Sequence, residues 1–453
     1  MASQYDTYQT SLTGRYCSPE MSGLFSQRSR HSTWRKLWLG LAESERELGI
    51  DTITPEALEQ MKAHLVVTDE DFEVARVEEK RRRHHVHAFG VVAPAAAGVM
   101  HYGATSCFVT DNAELILIRD ALDLLIKKLA KVISNLSAFA LKWKAEPTLA
   151  YTHLQAAQLI TVGKRAAQWA QDLMLDLHSM EQVRSELKFR GAQGTTGTQA
   201  SFLEIFQGDS AKCDKLNELL CEKFGFPSCY DVSTQTYTRK VDLIVANAVA
   251  GLGSSAQKIA GDIRHLAHWK EIEEPFEASQ IGSSAMAYKR NPMRSERIYS
   301  LARELLSKPA TFANTHADQW DNVTNGLVVY PKRIAAHVQS ELPFMLTESI
   351  LMKLCAKGAS RQEAHEQIRV LSNEAGSVVK NEGKPNDLVS RIRSNEFFKP
   401  VWNDLDDMLR AELYIGRSVE IVDKYCGPGG PVEKALAPYM TYIKSSSTAE
   451  LNV

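Results

Sequence analysis

The chain has 453 residues, of which 44% are hydrophobic and 24% are charged, and its formal net charge at pH 7 is −2. This length and composition allow a sizeable core, in two or three domains or in one elongated helical body. A charge so close to zero argues against nucleic acid or an anionic membrane as partner. No apolar run approaches the length of a membrane span, and the first six residues are polar with no signal-peptide core behind them. We therefore expect a cytoplasmic protein.

The seven cysteines are odd in number, widely spaced and never arranged as C-x-x-C. This pattern favours neither a disulfide framework nor a zinc site. We expect reduced, mostly structural thiols and no bound metal.

The hydrophobic periodicity is helical almost throughout. After Ser32 and Thr33, either of which would make a good N-cap, apolar residues recur at steps of three and four until Gly49, which predicts an amphipathic helix. Thr54 stands before a proline and an acidic residue, which predicts the start of the next helix.

Three longer helical patterns follow, at about residues 111–140, 159–189 and 240–269. Helices of this length need partners along their whole length, and alternating strand patterns are hard to find. The sequence therefore predicts an all-α protein with a central bundle of long helices, shared between subunits. We expect an N-terminal helical domain at residues 1–105, the central bundle at 106–330 and a C-terminal helical domain at 331–453.

Polar breaks between the predicted helices are the places where chemistry is expected. They lie at residues 83–87, 101–111, 148–158, 191–199, 234–240 and 282–292. The glycine-rich break at 191–198 has neither P-loop spacing nor a preceding strand, which argues against a nucleotide P-loop.

The break at 282–292 combines a glycine, two serines and Lys289 in a segment too polar to be core. Backbone amides next to a glycine can approach a ligand closely, and the lysine can lower the pKa of a hydroxyl or hold a carboxylate. These residues predict a mobile catalytic loop, whereas an ordinary surface loop is the alternative for such a run taken alone.

Two of these breaks resemble motifs of the fumarase/aspartase superfamily. Residues 282–291 are similar to its G-S-S-x-M-P-x-K-x-N pattern, and residues 105–112 are similar to its T-S-x-x-V-x-D-N segment, which opens a long central helix. Further segments resemble the eukaryotic type of the adenylosuccinate lyase family: Arg15 with Tyr16, and residues 151–155, 161–165, 194–199 and 235–240.

The resemblance covers nearly the whole chain and implies an elongated, all-α, fumarase/aspartase-like subunit in a homotetramer, with several chains building each active site. It implies a C–N lyase that eliminates fumarate from adenylosuccinate, giving AMP, and from succinyl-aminoimidazole-carboxamide ribotide, giving AICAR, in purine nucleotide biosynthesis. The substrate is then a small succinyl-purine nucleotide, and no cofactor is implied.

Such a β-elimination needs a base for a weakly acidic proton, an acid for the departing nitrogen and positive charge to stabilise a carbanion-like intermediate. By resemblance Ser283 is the base, ionised only when its loop closes and excludes water, His153 is the acid, and Lys289 stabilises the developing charge. A lone histidine is usually structural, but the polar surroundings of His153 favour a catalytic role. His84 is the best equivalent of the family's first histidine, which binds substrate and assists the acid, and His85 competes for that role.

Thr105 and Ser106 can donate hydrogen bonds to a succinyl carboxylate at a helix N-terminus, and simple N-capping is the alternative for both. The arginines at 15 and 297 could instead form surface ion pairs. The resemblance gives substrate-binding roles to the following residues: Arg15, Tyr16, Arg83, Thr105, Ser106, Thr152, Gln235, Asn291 and Arg297.

The chain departs from the family pattern at three places. The histidine segment at 81–87 is about one helical turn shorter, and Ala287 replaces a proline, which would loosen the catalytic loop. After Trp320 the family's E-R-T-L-D-D-S-A-N-R-R segment, which supplies arginines and a serine to the substrate phosphate, is missing together with the core helix behind it. Each lost charge-assisted hydrogen bond would cost about 1.5 to 3 kcal/mol of binding.

The two deletions, in the segment at 81–87 and after Trp320, leave other hypotheses open. One is a damaged or alternatively spliced lyase, or a lyase whose gene was mis-joined when the sequence was assembled. Another is a diverged C–N lyase that releases fumarate from a different, non-phosphorylated aspartate adduct. The third is an inactive family member that serves as a structural or assembly protein.

Overall fold

The computed structural model describes residues 10–82, 85–275, 286, 289–316 and 330–441. Within these residues the protein consists of helices and a single two-stranded antiparallel sheet, so the predicted all-α class is confirmed. None of the described helices is long and apolar enough to cross a membrane.

The α-helices, in chain order, are α1 (Pro19–Leu24), α2 (Gln27–Glu47), α3 (Pro55–Ala63), α4 (Asp69–Arg82), α5 (His85–Val92), α6 (Ser106–Lys142), α7 (Val162–Glu186), α8 (Ala200–Ile205), α9 (Ser210–Phe224), α10 (Lys240–His268), α11 (Met293–His316), α12 (Pro331–Ala356), α13 (Arg361–Glu382), α14 (Leu388–Arg393), α15 (Leu405–Met408), α16 (Ser418–Cys426) and α17 (Pro431–Leu436). The strands are β1 (Pro147–Thr152) and β2 (Gln155–Thr161). A π-helical turn spans Leu12–Tyr16, and 3₁₀-helices lie at Pro94–Ala96, Glu396–Asp404, Ala411–Tyr414 and Ala437–Tyr439.

The chain forms two compact units. The first contains Met1–Leu24, Leu117–Leu187 and Thr238–Asp318, and the second contains Phe25–Ile116, Lys188–Tyr237 and Gln319–Val453. The three-domain division expected from the sequence stays a prediction.

The predicted start of helix α2 is wrong. The helix begins six residues earlier, where the side chain of Ser26 accepts a hydrogen bond from the Ser29 N–H. Ser32 and Thr33 lie buried inside it, because their hydroxyls find other partners: Thr33 donates to the Ser29 carbonyl at 2.8 Å, and Ser32 accepts from the Val67 N–H. A hydroxyl that is satisfied in this way does not stop a helix.

Other helix boundaries agree with the sequence. Gly49 has a φ of 99° directly after the end of α2, and the hydroxyl of Thr54 accepts from the Ala57 N–H at the start of α3. The patterns at 111–140 and 240–269 are confirmed by α6 and α10. The helix ends at Gly49 and Thr54 depend only on neighbouring residues, and for this reason they can be predicted from the sequence.

The core of the first unit lies between α6, α7 and α10. Leu129, Leu173 and Ala248 pack together there, one from each helix, and Trp169 of α7 donates from its indole nitrogen to the Asp262 carboxylate of α10 at 2.9 Å. Because each long helix contributes an apolar stripe, the three stabilise one another along their length. In the second unit a separate cluster joins α12 to α15, with these fully buried residues at its centre: Leu346, Ile350, Leu388, Ile392, Phe398 and Val401.

The β-hairpin was not predicted. Residues 159–161, which the sequence pattern places in a helix, belong to β2, and α7 begins at Val162 with the Thr161 hydroxyl accepting from the Lys164 N–H. The strands pair from Pro147↔Thr161 to Thr152↔Gln155, so the turn has only two residues. Neither strand contains a buried residue, β2 is mostly exposed, and the turn contains no glycine or asparagine, so the usual hairpin signals are weak.

Candidate functional site

His153 lies at the tip of the hairpin, in the two-residue turn. It has a φ of 51° and its neighbour Leu154 has a φ of 61°, so both residues adopt the left-handed conformation. For residues other than glycine this conformation costs about 1 to 2 kcal/mol each. The turn therefore holds an exposed histidine in a strained position, a feature that is concentrated at functional sites.

The hairpin is fixed to the segment that follows α10. The ring of Tyr151 stacks on that of Trp269 with centroids 4.6 Å apart, and the Thr148 hydroxyl donates to the Glu271 carboxylate at 3.1 Å. Arg165 of α7 donates to the Leu149 carbonyl at 2.7 Å. These contacts position the turn that carries Thr152 and His153.

A second group of predicted residues precedes and begins α11, in the same unit. Lys289 is exposed, and its backbone N–H donates to the Met286 carbonyl at 3.0 Å. Asn291 is partly buried, and its carbonyl accepts from the Met293 N–H, while Arg297 is exposed on the helix.

Two glutamates hold the chain on either side of the predicted catalytic loop. Glu273 forms an ion pair with Arg290 at 2.9 Å. The carboxylate of Glu274 accepts from the backbone N–H groups of Arg294 and Ser295 at the start of α11. A negative charge at a helix N-terminus is favourable, so the described residues at both ends of this loop are drawn together.

Several predicted positions lie outside the described residues. They include the proposed base Ser283 and its loop neighbour Ala287, Arg83 and His84, and the segment after Trp320. The roles of these residues, and the two deletions as placed in the sequence, stay predictions.

Thr105 and Ser106 stand at the beginning of α6, in the second unit. The hydroxyl of Thr105 is buried and has no hydrogen-bond partner within the described chain, so N-capping does not explain it. Ser106 is exposed as the first residue of a helix of 37 residues. A free hydroxyl beside a helix N-terminus is suited to bind an anion.

The first turns of α6 also hold the segment that carries Gln235. The Asp111 carboxylate accepts from the backbone N–H of Tyr237 at 3.0 Å, and the side-chain amide oxygen of Asn112 accepts from the backbone N–H groups of Arg190 and Gly191. Gln235 itself is exposed. These hydrogen bonds hold the Gln235 segment and the residues at 190–191 against the start of α6.

Arg190 is a residue that sequence reasoning missed. Its side chain is fully buried, and its guanidinium donates to the carbonyls of Gly191, Gly194 and Thr234. Burial lowers the pKa of Arg190, and nearby Asp111 partly opposes this effect. A charged residue directly before the glycine-rich run at 191–198 was the available signal.

Arg15 and Tyr16 are exposed in the π-helical turn of the first unit. All seven cysteines are free thiols, although the Cys221 and Cys229 sulfurs lie 3.5 Å apart. Among the described residues no cluster of histidine, cysteine or carboxylate side chains could hold a metal ion.

Solved structures with this fold include a 3-carboxy-cis,cis-muconate lactonizing enzyme from Pseudomonas putida, with a TM-score of 0.59 and 20% identity over 95% of this chain and 99% of that one. A fumarate lyase from Mesorhizobium sp. BNC1 has a TM-score of 0.55 and 22% identity over 89% of this chain and 96% of that one. At this identity the likeness establishes the fold alone.

Curated relatives are much closer in sequence. An adenylosuccinate lyase from Schizosaccharomyces pombe is 50% identical over 472 residues, covering 97% of this chain and 98% of that protein, and one from Saccharomyces cerevisiae is 48% identical over 482 residues, covering 99% of each. Both alignments are longer than the 453 residues of this chain, so these relatives carry residues that have no counterpart here. The alignments therefore contain gaps in this chain, and the position of these gaps stays a prediction.

Two family models match. The one described as "Lyase" covers residues 14–306, and the one described as "Adenylosuccinate lyase C-terminus" covers residues 343–425. Together with identities near one half over almost the whole chain, these matches show that the chain belongs to the adenylosuccinate lyase family, within the fumarase/aspartase superfamily.

Proposed function

We propose that the chain is a C–N lyase that eliminates fumarate from adenylosuccinate, giving AMP, and from succinyl-aminoimidazole-carboxamide ribotide, giving AICAR. The observation that carries this proposal is the 50% identity, over 97% of the chain, to a relative named adenylosuccinate lyase. The framework around Gln235 and the unpartnered hydroxyl of Thr105 agree with a site that binds a polar, anionic ligand.

The chemistry divides among three residues and a second histidine that assists one of them. Ser283, as an alkoxide, removes a proton from the succinyl carbon next to the one that bears the nitrogen, and Lys289 stabilises the negative charge that develops on the adjoining carboxylate. The electron pair left on this carbon forms the C=C bond of fumarate. The C–N bond then breaks, its electron pair goes to the nitrogen, and His153 supplies the proton that the nitrogen takes up. His84, or His85, assists His153.

Substrate binding involves residues from several segments of the sequence. Thr105 and Ser106 donate to the succinyl carboxylate, and Thr152, Gln235 and Asn291 contact the substrate near the reacting bond. Arg297 and Arg83 bind it by charge, whereas Arg15 and Tyr16 contact the nucleotide end. The exposure of Arg15, Ser106, His153, Gln235 and Lys289 is consistent with sites that several chains build together.

The proposal includes a homotetramer, as the resemblance implies, and a cytoplasmic enzyme of purine nucleotide biosynthesis that needs no cofactor. Apolar side chains exposed on the long helices of the first unit, such as Val132 and Leu175, would be covered by other copies. Size-exclusion chromatography with light scattering tests the tetramer.

A second candidate function follows from the missing residues. The sequence predicts that the phosphate-binding arginines after Trp320 are missing, and a site without them would favour an aspartate adduct that has no phosphate. Such an enzyme would use Ser283, His153 and Lys289 to release fumarate from the aspartate adduct of a different amine.

The test is the absorbance change that accompanies fumarate release from adenylosuccinate by the purified full chain. Turnover that is abolished by Ser283→Ala and by His153→Ala supports the proposed function. If non-phosphorylated aspartate adducts yield fumarate and adenylosuccinate does not, the second candidate function is supported instead. No fumarate from any adduct at high enzyme concentration would refute both and leave a structural role.

A further inference from the structure

Gly197 packs directly against the backbone that leads to Gln235. It is buried with a φ of +81°, and a Cβ placed on it would lie 1.9 Å from the Ser233 carbonyl oxygen and 3.0 Å from the Thr234 Cα. Both contacts are to main-chain atoms, so no flexible side chain could move aside. Any residue larger than glycine at 197 would therefore displace the segment at 233–234.

The Gln235 segment is held at both of its ends. Arg190 donates to the Thr234 carbonyl at 3.4 Å and also to the Gly194 carbonyl at 3.0 Å, so one guanidinium joins it to the glycine-rich loop. Beyond Gln235, the Tyr237 N–H donates to Asp111. A displacement at 233–234 is thus confined between two anchors, and the exposed residue between them has to move.

Gly197 cannot retreat in the opposite direction, because the following residues are bound to the C-terminal part of the chain. The backbone N–H of Arg417 donates to the Thr198 carbonyl at 2.8 Å, and its buried guanidinium donates to the Gln199 side chain at 2.6 Å. The same guanidinium is paired with Asp214 and Glu420. The loop at 194–199 is therefore a rigid support on which the Gln235 segment rests.

We propose that Gly197 is a positioning residue for the elimination reaction: the absence of a side chain at 197 lets the 233–237 segment settle where Gln235 reaches the substrate. The inference rests on the proposed function and adds to it a residue that does not contact the substrate. It acts only through the placement of Gln235.

The experiment compares Gly197→Ala with Gly208→Ala. Gly208 has nearly the same φ, +87°, but a Cβ there would meet nothing within 4 Å. This variant therefore has the same backbone strain without a clash against neighbouring main-chain atoms. Steady-state kinetics and thermal unfolding are measured for both. We expect Gly197→Ala to lower kcat/KM by about ten- to a hundred-fold, mainly through KM, since a misplacement of about 1 Å can cost that much. Gly208→Ala should stay within about two-fold of the wild type.

A double-mutant cycle with Gln235→Ala separates positioning from a general structural role. If Gly197 acts through Gln235, Gly197→Ala has no further effect on kcat/KM once Gln235 is alanine. Independent, multiplying effects would overturn the inference, and so would equal losses in the two glycine variants. Calorimetric binding of adenylosuccinate is measured in parallel: if the wild type binds but does not turn over, the proposed function fails and the comparison of affinities still tests Gly197. Absence of both binding and turnover refutes both proposals.

Discussion

Tyr151 stacks on Trp269 with ring centroids 4.6 Å apart and an angle of 25° between the planes. Tyr151 lies in β1, two residues before His153, and Trp269 caps the C-terminus of α10. Because the His153 turn is exposed and strained, it contributes little to its own stability. The aromatic stack is thus a main connection between the histidine and the helical core of its unit.

We expect Trp269→Ala to reduce kcat about ten-fold, because a loosened hairpin holds the proposed acid less well. Trp269→Phe keeps an aromatic ring for the stack and should retain most of the activity. Steady-state turnover of adenylosuccinate is compared for the two variants, with circular dichroism to establish that both are folded. Equal activity of the alanine and phenylalanine variants would contradict a positioning role for the stack.

The helices could be predicted where their signals are local. Thr54 and Gly49 mark real boundaries, because capping and left-handed glycine depend on a few neighbouring residues. Ser32 and Thr33 gave a wrong start, since their hydroxyls are satisfied by Ser29 and Val67, and nothing near them in sequence indicates the distant Val67.

In the candidate site, too, local signals could be predicted and distant contacts could not. Motifs led to Thr105, His153 and Lys289, because chemistry needs those residue types in recognisable order. Arg190 was missed, because its role depends on carbonyl groups up to 44 residues away. The hairpin around His153 was also missed, since its turn uses a histidine and a leucine where glycine or asparagine is usual.

Thr105→Val should weaken substrate binding without weakening the fold. The Thr105 hydroxyl is buried and has no partner within the described chain, so its removal breaks no internal hydrogen bond. If it donates to a carboxylate of the substrate, KM should rise about ten-fold, the effect of one charge-assisted hydrogen bond. The melting temperature should stay the same or rise.

Thr110→Val is the matched control, one helical turn further along α6. The Thr110 hydroxyl donates to the Ser106 carbonyl at 3.3 Å, so its loss affects the helix and leaves KM within about two-fold of the wild type. A clear loss of stability in Thr105→Val with no change in KM would show that the Thr105 hydroxyl serves the fold.

Glu45 makes the stability of the chain depend on pH above the ordinary glutamate pKa of 4.5. Both of its carboxylate oxygens are buried without a hydrogen-bond partner in the described chain, and burial raises the pKa of Glu45 well above its ordinary value of 4.5. Above that value the unfolded chain loses this proton while the folded chain keeps it. The free energy of unfolding therefore falls as pH rises, by about 1.4 kcal/mol per pH unit until the folded pKa is reached.

Glu45→Gln removes this dependence, because the amide cannot ionise. We expect its melting temperature, relative to the wild type and measured between pH 5 and pH 8, to increase with pH until the folded pKa of Glu45 is reached. Glu47→Gln, two residues further along the same helix at an exposed position, is the control and should follow the wild type at every pH. A constant difference between Glu45→Gln and the wild type across this range would mean that Glu45 does not bind a proton on folding.

Glu420 produces the opposite dependence in acid. Hydrogen bonds from Arg417, the largest effect, and from Ser210 and Lys424 lower its pKa well below 4.5, although burial opposes them. A depressed carboxyl pKa contributes stability that is complete above the ordinary glutamate value and is lost as pH falls below it towards the folded pKa. The carboxylate is partly exposed, so we expect a contribution of only about 1 kcal/mol at pH 7.

Glu420→Gln should therefore be less stable than the wild type at pH 7, and the difference should shrink as pH falls from 5 to 3 in a series of thermal unfolding curves. Glu412→Gln, at a nearby exposed position, is the control and should show no such trend. If the difference in stability between Glu420→Gln and the wild type persisted at pH 3, the loss of stability would come from altered packing and not from the charge of Glu420. Because Arg417 also binds Thr198 and Gln199, a real loss of the Glu420 pair should further raise KM at pH 7, through the loop on which the Gln235 segment rests.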